Sequence, residues 1–101
     1  MTSHNSRSVF RLIAAEQAQH ADTETEGGHA HLAHLHAELG LVYIEFETAD
    51  PSHPHVTKAW CAAEAARTDL SEGTAITAAS AIARARLHLA LAQLGRAITT
   101  P

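Results

Sequence analysis

The chain has 101 residues, of which 46% are hydrophobic and 4% aromatic, and a formal net charge of −4 at pH 7. This length allows one domain with one hydrophobic core. A negative net charge, with only seven Lys and Arg residues spread along the chain, argues against binding of a phosphate backbone, so we predict no nucleic-acid partner.

The N-terminal segment is polar and lacks the apolar stretch of a signal peptide. We predict a disordered tail over residues 1–8 and a single helical domain over residues 9–99. Cys61 is the only cysteine, which permits neither an internal disulfide nor a thiolate zinc cluster. No run approaches the ~20 apolar residues that span a bilayer. These features predict a cytoplasmic protein with no membrane partner.

The first two predicted helices are separated by a polar segment that ends in Gly27 and Gly28, and paired glycines are a strong breaker. The first helix is expected over about residues 8–21. The second, over about residues 29–48, carries the clearest helical period of the chain. Its apolar stripe consists of Leu32, Leu35, Leu39, Val42 and Phe46.

The third helix is expected to begin at Pro54, which suits a first helical turn, and to end near Leu70. Thr74 is the expected N-cap of a long fourth helix that ends near residue 98. The inward face of this fourth helix is predicted to be Ile76, Ala79, Ala83, Leu87, Ala90, Leu94 and Ile98. Short loops favour antiparallel neighbours, so the predicted fold is all-α, a small antiparallel bundle or stacked helical hairpins of about four helices.

Nine of the residues are histidines, and four of them lie close together at the start of the second helix. Neutral imidazole is the commonest protein ligand of zinc, nickel and copper, and residues three or four apart share a helix face. The candidate ligands of a transition metal are His29, His31, His34, His36 and Glu38. The alternatives are a solvated helix face, because no HExxH spacing is present, and a pH sensor, because clustered imidazoles charge together near about pH 6.

Two further features bear on chemistry. Glu16 and His20 lie one turn apart on the first helix and are a possible ligand pair, a general base with its orienting partner, or a structural hydrogen bond. Cys61 lies inside the third helix and is expected to be buried and inert. Because neither a phosphate-binding loop nor a nucleophile elbow is present, the sequence favours a protein that is not an enzyme.

The segment Leu39-Gly40-Leu41-Val42-Tyr43 resembles the Leu-Gly-x-x-Tyr signature in the first helix of a tetratricopeptide repeat, where the glycine lets the two helices of a hairpin touch. The third segment is similar to the second helix of such a hairpin, and residues 87–96 again resemble a first helix. The resemblance covers residues 36–98. It implies a helical scaffold that binds a peptide or another protein.

We therefore expect a non-enzymatic interaction module that binds a protein or peptide partner and forms a homo-oligomer. The stripes of the second and fourth helices are the predicted contact surface, with Tyr43 and Trp60 as aromatic anchors. The alternative is a helical bundle that binds zinc, nickel or copper through His29 to Glu38 for storage, sensing or catalysis.

Overall fold

The computed structural model describes the backbone of residues 2–99 and the side chains of residues 9–94. These residues form four α-helices: α1 (Thr2–Glu26), α2 (Ala30–Glu45), α3 (Pro54–Ser71) and α4 (Ala75–Thr99). The predicted all-α fold is confirmed. Helix α1 begins inside the segment that was expected to be a disordered tail, while Met1 and the side chains up to residue 8 lie outside the described residues.

The two hairpin turns, α1 to α2 and α3 to α4, have the same construction. Gly28 and Gly73 each have a φ of 82°, a left-handed conformation that favours glycine. The next backbone N–H in each turn donates to a carbonyl five residues back, from His29 to Glu24 at 2.8 Å and from Thr74 to Asp69 at 2.9 Å. Both helices thus end in a Schellman motif that reverses the chain.

Two side chains decide how α3 and α4 begin. His53 caps α3, because its Nδ1 accepts a hydrogen bond from the His55 backbone N–H at 3.1 Å, and Pro54 occupies the first helical position. The Thr74 hydroxyl donates instead to the Asp69 carbonyl oxygen at 3.0 Å. This bond closes the turn, and Thr74 occupies the predicted N-cap position, because α4 begins at Ala75 and the Ala78 backbone N–H donates to the Thr74 carbonyl oxygen at 3.2 Å.

Helix α2 lies at the centre and packs against each of the other three helices. Within the described residues, α1 packs closely only against α2, so α1 and α3 lie on either side of an open cleft above α2. The predicted stripe of α2 faces the core: Leu35, Leu39, Val42 and Phe46 are buried. Phe10 and Trp60 join it, with ring centroids 5.8 Å and 5.5 Å from that of Phe46.

Small residues line the two closest helix contacts. Ala59, Ala63 and Ala66 of α3 are fully buried in the contact with α4. On α2, a Cβ added to Gly40 would lie 3.4 Å from Gln17 Cβ and 3.5 Å from a backbone oxygen of α1. Gly40 therefore serves a close approach between α1 and α2, which is the role expected for it, although its partner is the preceding helix.

The predicted inward face of α4 was wrong. The buried residues of this helix are Ala78, Ala81, Ile82, Ala85, Leu89 and Ala92, whereas Ile76, Ala83, Leu87, Ala90 and Leu94 are exposed. Ala79 is half-buried, and the side chain of Ile98 lies outside the described residues. Both faces of α4 carry an apolar stripe with a helical period, and the more alanine-rich one packs in the core because it allows a closer approach to α3.

Candidate functional site

The five predicted metal ligands point in several directions. His29 lies in the turn before α2 with Nδ1 2.8 Å from Glu24 Oε1, and Glu38 accepts from Arg86 Nη1 at 2.6 Å. His31 and His34 are exposed, whereas His36 is buried against α1. Among the described residues, no three His, Cys, Asp or Glu side chains lie together in a group that could hold a metal ion. A metal site within this segment stays a prediction.

The cleft between α1 and α3 is an open polar concavity with a volume of about 620 Å³. All three helices α1, α2 and α3 contribute to it, and most of its lining side chains are polar or ionisable. They are Glu16, Gln17, His20, Glu24, His36, Glu64, Arg67, Thr68, Leu70 and Ser71.

His36 is the most constrained ionisable group of the cleft. Its Nδ1 lies 2.6 Å from Gln17 Oε1, and the two side chains are 8% and 3% exposed. Because an amide oxygen only accepts, His36 donates its Nδ1–H and retains the lone pair on Nε2. His36 forms this hydrogen bond alone, so Nε2 has no partner among the described residues. Because every buried side-chain nitrogen and oxygen of the described residues has a partner, Nε2 is not buried and is open to the cleft.

The environment of His36 also sets its protonation. Burial lowers the pKa of His36 below its usual range, and the nearby charge of His20 lowers it further, while Glu24 acts in the opposite direction. The imidazole is therefore held neutral near pH 7, the form in which histidine binds metals or accepts a proton.

His20 faces His36 across the α1–α2 contact, with the two ring centroids 5.0 Å apart and the ring planes inclined by 36°. The sequence had identified both histidines but had not paired them. They lie at equal sequence distances from Gly28, on either side of the turn. An antiparallel hairpin centred on that glycine brings such positions together, and this signal was available in the sequence.

The opposite wall of the cleft, on α3, carries an ion-pair network. The Tyr43 hydroxyl donates to Glu64 Oε2 at 2.5 Å, and burial together with Glu64 raises the pKa of Tyr43 above its usual range. Arg67 lies 3.8 Å from Glu64 Oε2 and 3.4 Å from Glu16 Oε1, so it connects α3 to α1 across the opening. The cleft thus combines two imidazoles with three carboxylates and a single guanidinium.

A second histidine pair lies on the far side of the molecule, between α3 and α4. His55 Nδ1 and His88 Nδ1 are 2.9 Å apart, so one ring donates to the other, and His53 stacks on His55 with ring centroids 5.7 Å apart. Partial burial and the charges of His88, Lys58 and His53 lower the pKa of His55. Nothing in the sequence analysis had pointed to His88.

The outer surface of α2 and α4 carries several exposed apolar side chains. We define the α2–α4 face as Leu41, Ile44, Ala83, Leu87, Ala90 and Leu94, all of which are exposed. The Glu38–Arg86 ion pair crosses the seam between the two helices. The α4 half of this face belongs to the predicted contact surface, whereas the predicted stripe of α2 and its anchor Tyr43 are buried in the core, and Trp60 is half-buried.

Cys61 is exposed at a groove between α3 and α4, which overturns the expectation of a buried thiol. The groove is also lined by Lys58, Arg84 and His88. Helix α3 is in contact with α4 through the alanines on its other side, and this leaves the Cys61 side facing solvent.

None of the helices, over the residues described, is long and apolar enough to cross a membrane. No protein-family model matches the chain, and no curated protein or solved structure matches it. The function must therefore be argued from the geometry of the chain itself.

Proposed function

We propose that this chain is a helical interaction module that forms a homodimer through the α2–α4 face. The observation that carries the proposal is the exposed stripe on α4, opposite the face that packs in the core. Leu87 and Leu94 are 58% and 55% exposed, and Leu41 and Ile44 of α2 are 57% and 50% exposed. A row of exposed apolar side chains of this kind is typical of interaction sites in proteins.

The spacing of the stripe supports a second copy of the chain as the partner. Ala83, Leu87, Ala90 and Leu94 follow one another at intervals of four, three and four residues, the a/d pattern of helices that pair by inserting side chains between one another. Leucine and alanine alternate along it, so the leucines of one copy fit over the alanines of the other. A surface that complements itself favours a symmetric dimer.

Charges at the seam fit the same partner. Glu45 and Arg86 both line the groove between α2 and α4, beside Leu87. In the dimer, a pair between Glu45 of one copy and Arg86 of the other would require Arg86 to share its contact with Glu38 at 2.6 Å, and such pairs set orientation more than affinity. We also propose a cytoplasmic location for the chain.

The test compares two double-charge variants by light scattering at about 100 µM, where an association of micromolar strength is nearly complete. The wild type is expected to have twice the 10.7 kDa mass of the chain. Leu87→Lys with Leu94→Lys should give the mass of one chain, because two ammonium groups would have to be buried per copy. Circular dichroism checks that the helical content of each variant is unchanged.

Val9→Lys with Leu12→Lys is the matched control, because these side chains are exposed on α1, outside the α2–α4 face. It should keep the mass of the wild type. A wild type with the mass of one chain, or equal loss of association in both variants, would contradict the proposal. A wild-type monomer that binds a peptide or another protein through Leu87 would replace the homodimer with a different partner.

A further inference from the structure

We propose that His20 and His36 bind a divalent transition-metal ion such as zinc in the cleft, with Glu16 as the third ligand. This site is separate from the proposed dimer face, since no residue belongs to both. It also differs from the segment of α2 that the sequence suggested, because its ligands come from two helices.

The separation of the two rings fits one shared ion. Zinc binds histidine nitrogen at about 2.0–2.1 Å, so two imidazoles on the same ion, at an angle of roughly 90–110°, have centroids about 4.5–5.2 Å apart. The observed centroid distance between His20 and His36 is 5.0 Å. The separation of the two rings is therefore compatible with a shared ion.

Gln17 orients the His36 ligand. Histidines that bind metals almost always donate their second ring N–H to an oxygen, which fixes the tautomer and the ring orientation. Here the buried Gln17 Oε1 accepts the Nδ1–H at 2.6 Å, which leaves Nε2 open to the cleft. This arrangement exists before any ion is present, so the ordering of this ligand costs little on binding.

We assign Glu16 as the third ligand. It lies one helical turn from His20 on the same face of α1. Glu24 lies one turn away on the other side, but its carboxylate is engaged with His29 at 2.8 Å, whereas the Glu16 contact with Arg67 is a long one of 3.4 Å. As the side chains stand, no three ligands converge, so Glu16 has to leave this half-exposed contact, a change of low cost.

The other close histidine pair is less suited to a cation. The Nδ1 atoms of His55 and His88 are occupied by each other, and the positive charge of Lys58 acts on His55. The cleft instead has three carboxylates against the single guanidinium of Arg67. An incoming cation is therefore favoured in the cleft and disfavoured at His55.

Zinc titration of the untagged full chain by calorimetry tests the site, with cobalt as a spectroscopic probe of nitrogen ligation. We expect one ion per chain. His20→Ala should weaken zinc binding at least about tenfold, and because His20 is exposed this variant should fold. His36→Asn keeps a donor for Gln17 while removing Nε2, and it should weaken binding similarly. Glu16→Gln should have a smaller effect in the same direction.

Two double variants serve as controls, His31→Ala with His34→Ala and His55→Ala with His88→Ala. Both should retain the wild-type affinity and stoichiometry. The proposal is wrong if the wild type takes up no zinc, if His20→Ala binds zinc as tightly as the wild type, or if either control loses the ion. Because the stoichiometry is counted per chain, these results do not depend on whether the chain dimerises.

Discussion

Histidine side chains in this chain differ mainly in what lies opposite them. His36 donates a buried hydrogen bond to Gln17, His29 faces the Glu24 carboxylate, and His55 shares a hydrogen bond with His88. Histidine thus supplies an oriented lone pair at His36 and a partner for a carboxylate at His29. His55 and His88 form a pair whose rings repel each other when both are charged. These roles depend on the neighbours across each hairpin.

The His55–His88 pair gives a prediction about pH. Replacing His88 with Gln removes a charge that lowers the pKa of His55, so that pKa should rise towards the usual value of about 6.5. Proton chemical shifts of the His55 ring, followed over a pH titration, measure the change. A His55 midpoint at or above 6.5 in the wild type, or one that does not move in the variant, would show that the pair does not interact.

Stability should follow from the same shifts. The pKa values of His36 and His55 are lower in the folded chain than in the unfolded chain. As the pH falls below about 6.5, the unfolded chain therefore binds protons first, and the free energy of unfolding decreases until the folded pKa values are passed. Above that pH these histidines contribute no pH dependence. Urea denaturation at pH 7.5, 6.5 and about 5 measures this trend.

At the scale of elements, the helix limits could be predicted closely because Gly27, Gly28, Pro54 and Gly73 mark the ends of segments rich in helix formers. The two ends of α1 differ from the prediction by five or six residues and the end of α2 by three. The polar segment after His20 carries no breaker before Gly27, so α1 continues to Glu26. The face of α4 could not be predicted from its period, because an apolar stripe exists on both sides and packing against α3 decides between them.

The role of the glycines in the two hairpin turns can be tested with matched variants. Gly28→Ala and Gly73→Ala should each lower the free energy of unfolding by about 1–2 kcal/mol, because both glycines have a φ of 82°, where a Cβ is strained. Gly27→Ala is the control: its φ is not in this region, and the added Cβ would make only ordinary contacts of 3.4 Å or more. Equal losses in all three variants by urea denaturation would mean that backbone strain is not the cause.

At the scale of the whole molecule, the central position of α2 separates two surfaces. The polar cleft lies where α2 is flanked by α1 and α3, and the apolar α2–α4 face lies on its outer side. The residues of the cleft were partly visible in the sequence, since Glu16, His20 and His36 had each been singled out. The approach of His20 to His36 depends on the register of the α1–α2 hairpin, which their equal distance from Gly28 indicates and single-helix spacing does not.

The sedimentation-equilibrium mass of the wild-type chain shows whether the chain forms a dimer. We expect an association of micromolar strength, which corresponds to about 8 kcal/mol. As the concentration increases from about 1 to 100 µM, the mass should rise from near that of one chain, 10.7 kDa, to that of two chains, and should rise no further. A mass of one chain throughout this range would contradict the proposed dimer. A mass that continues to rise beyond that of two chains would contradict it as well.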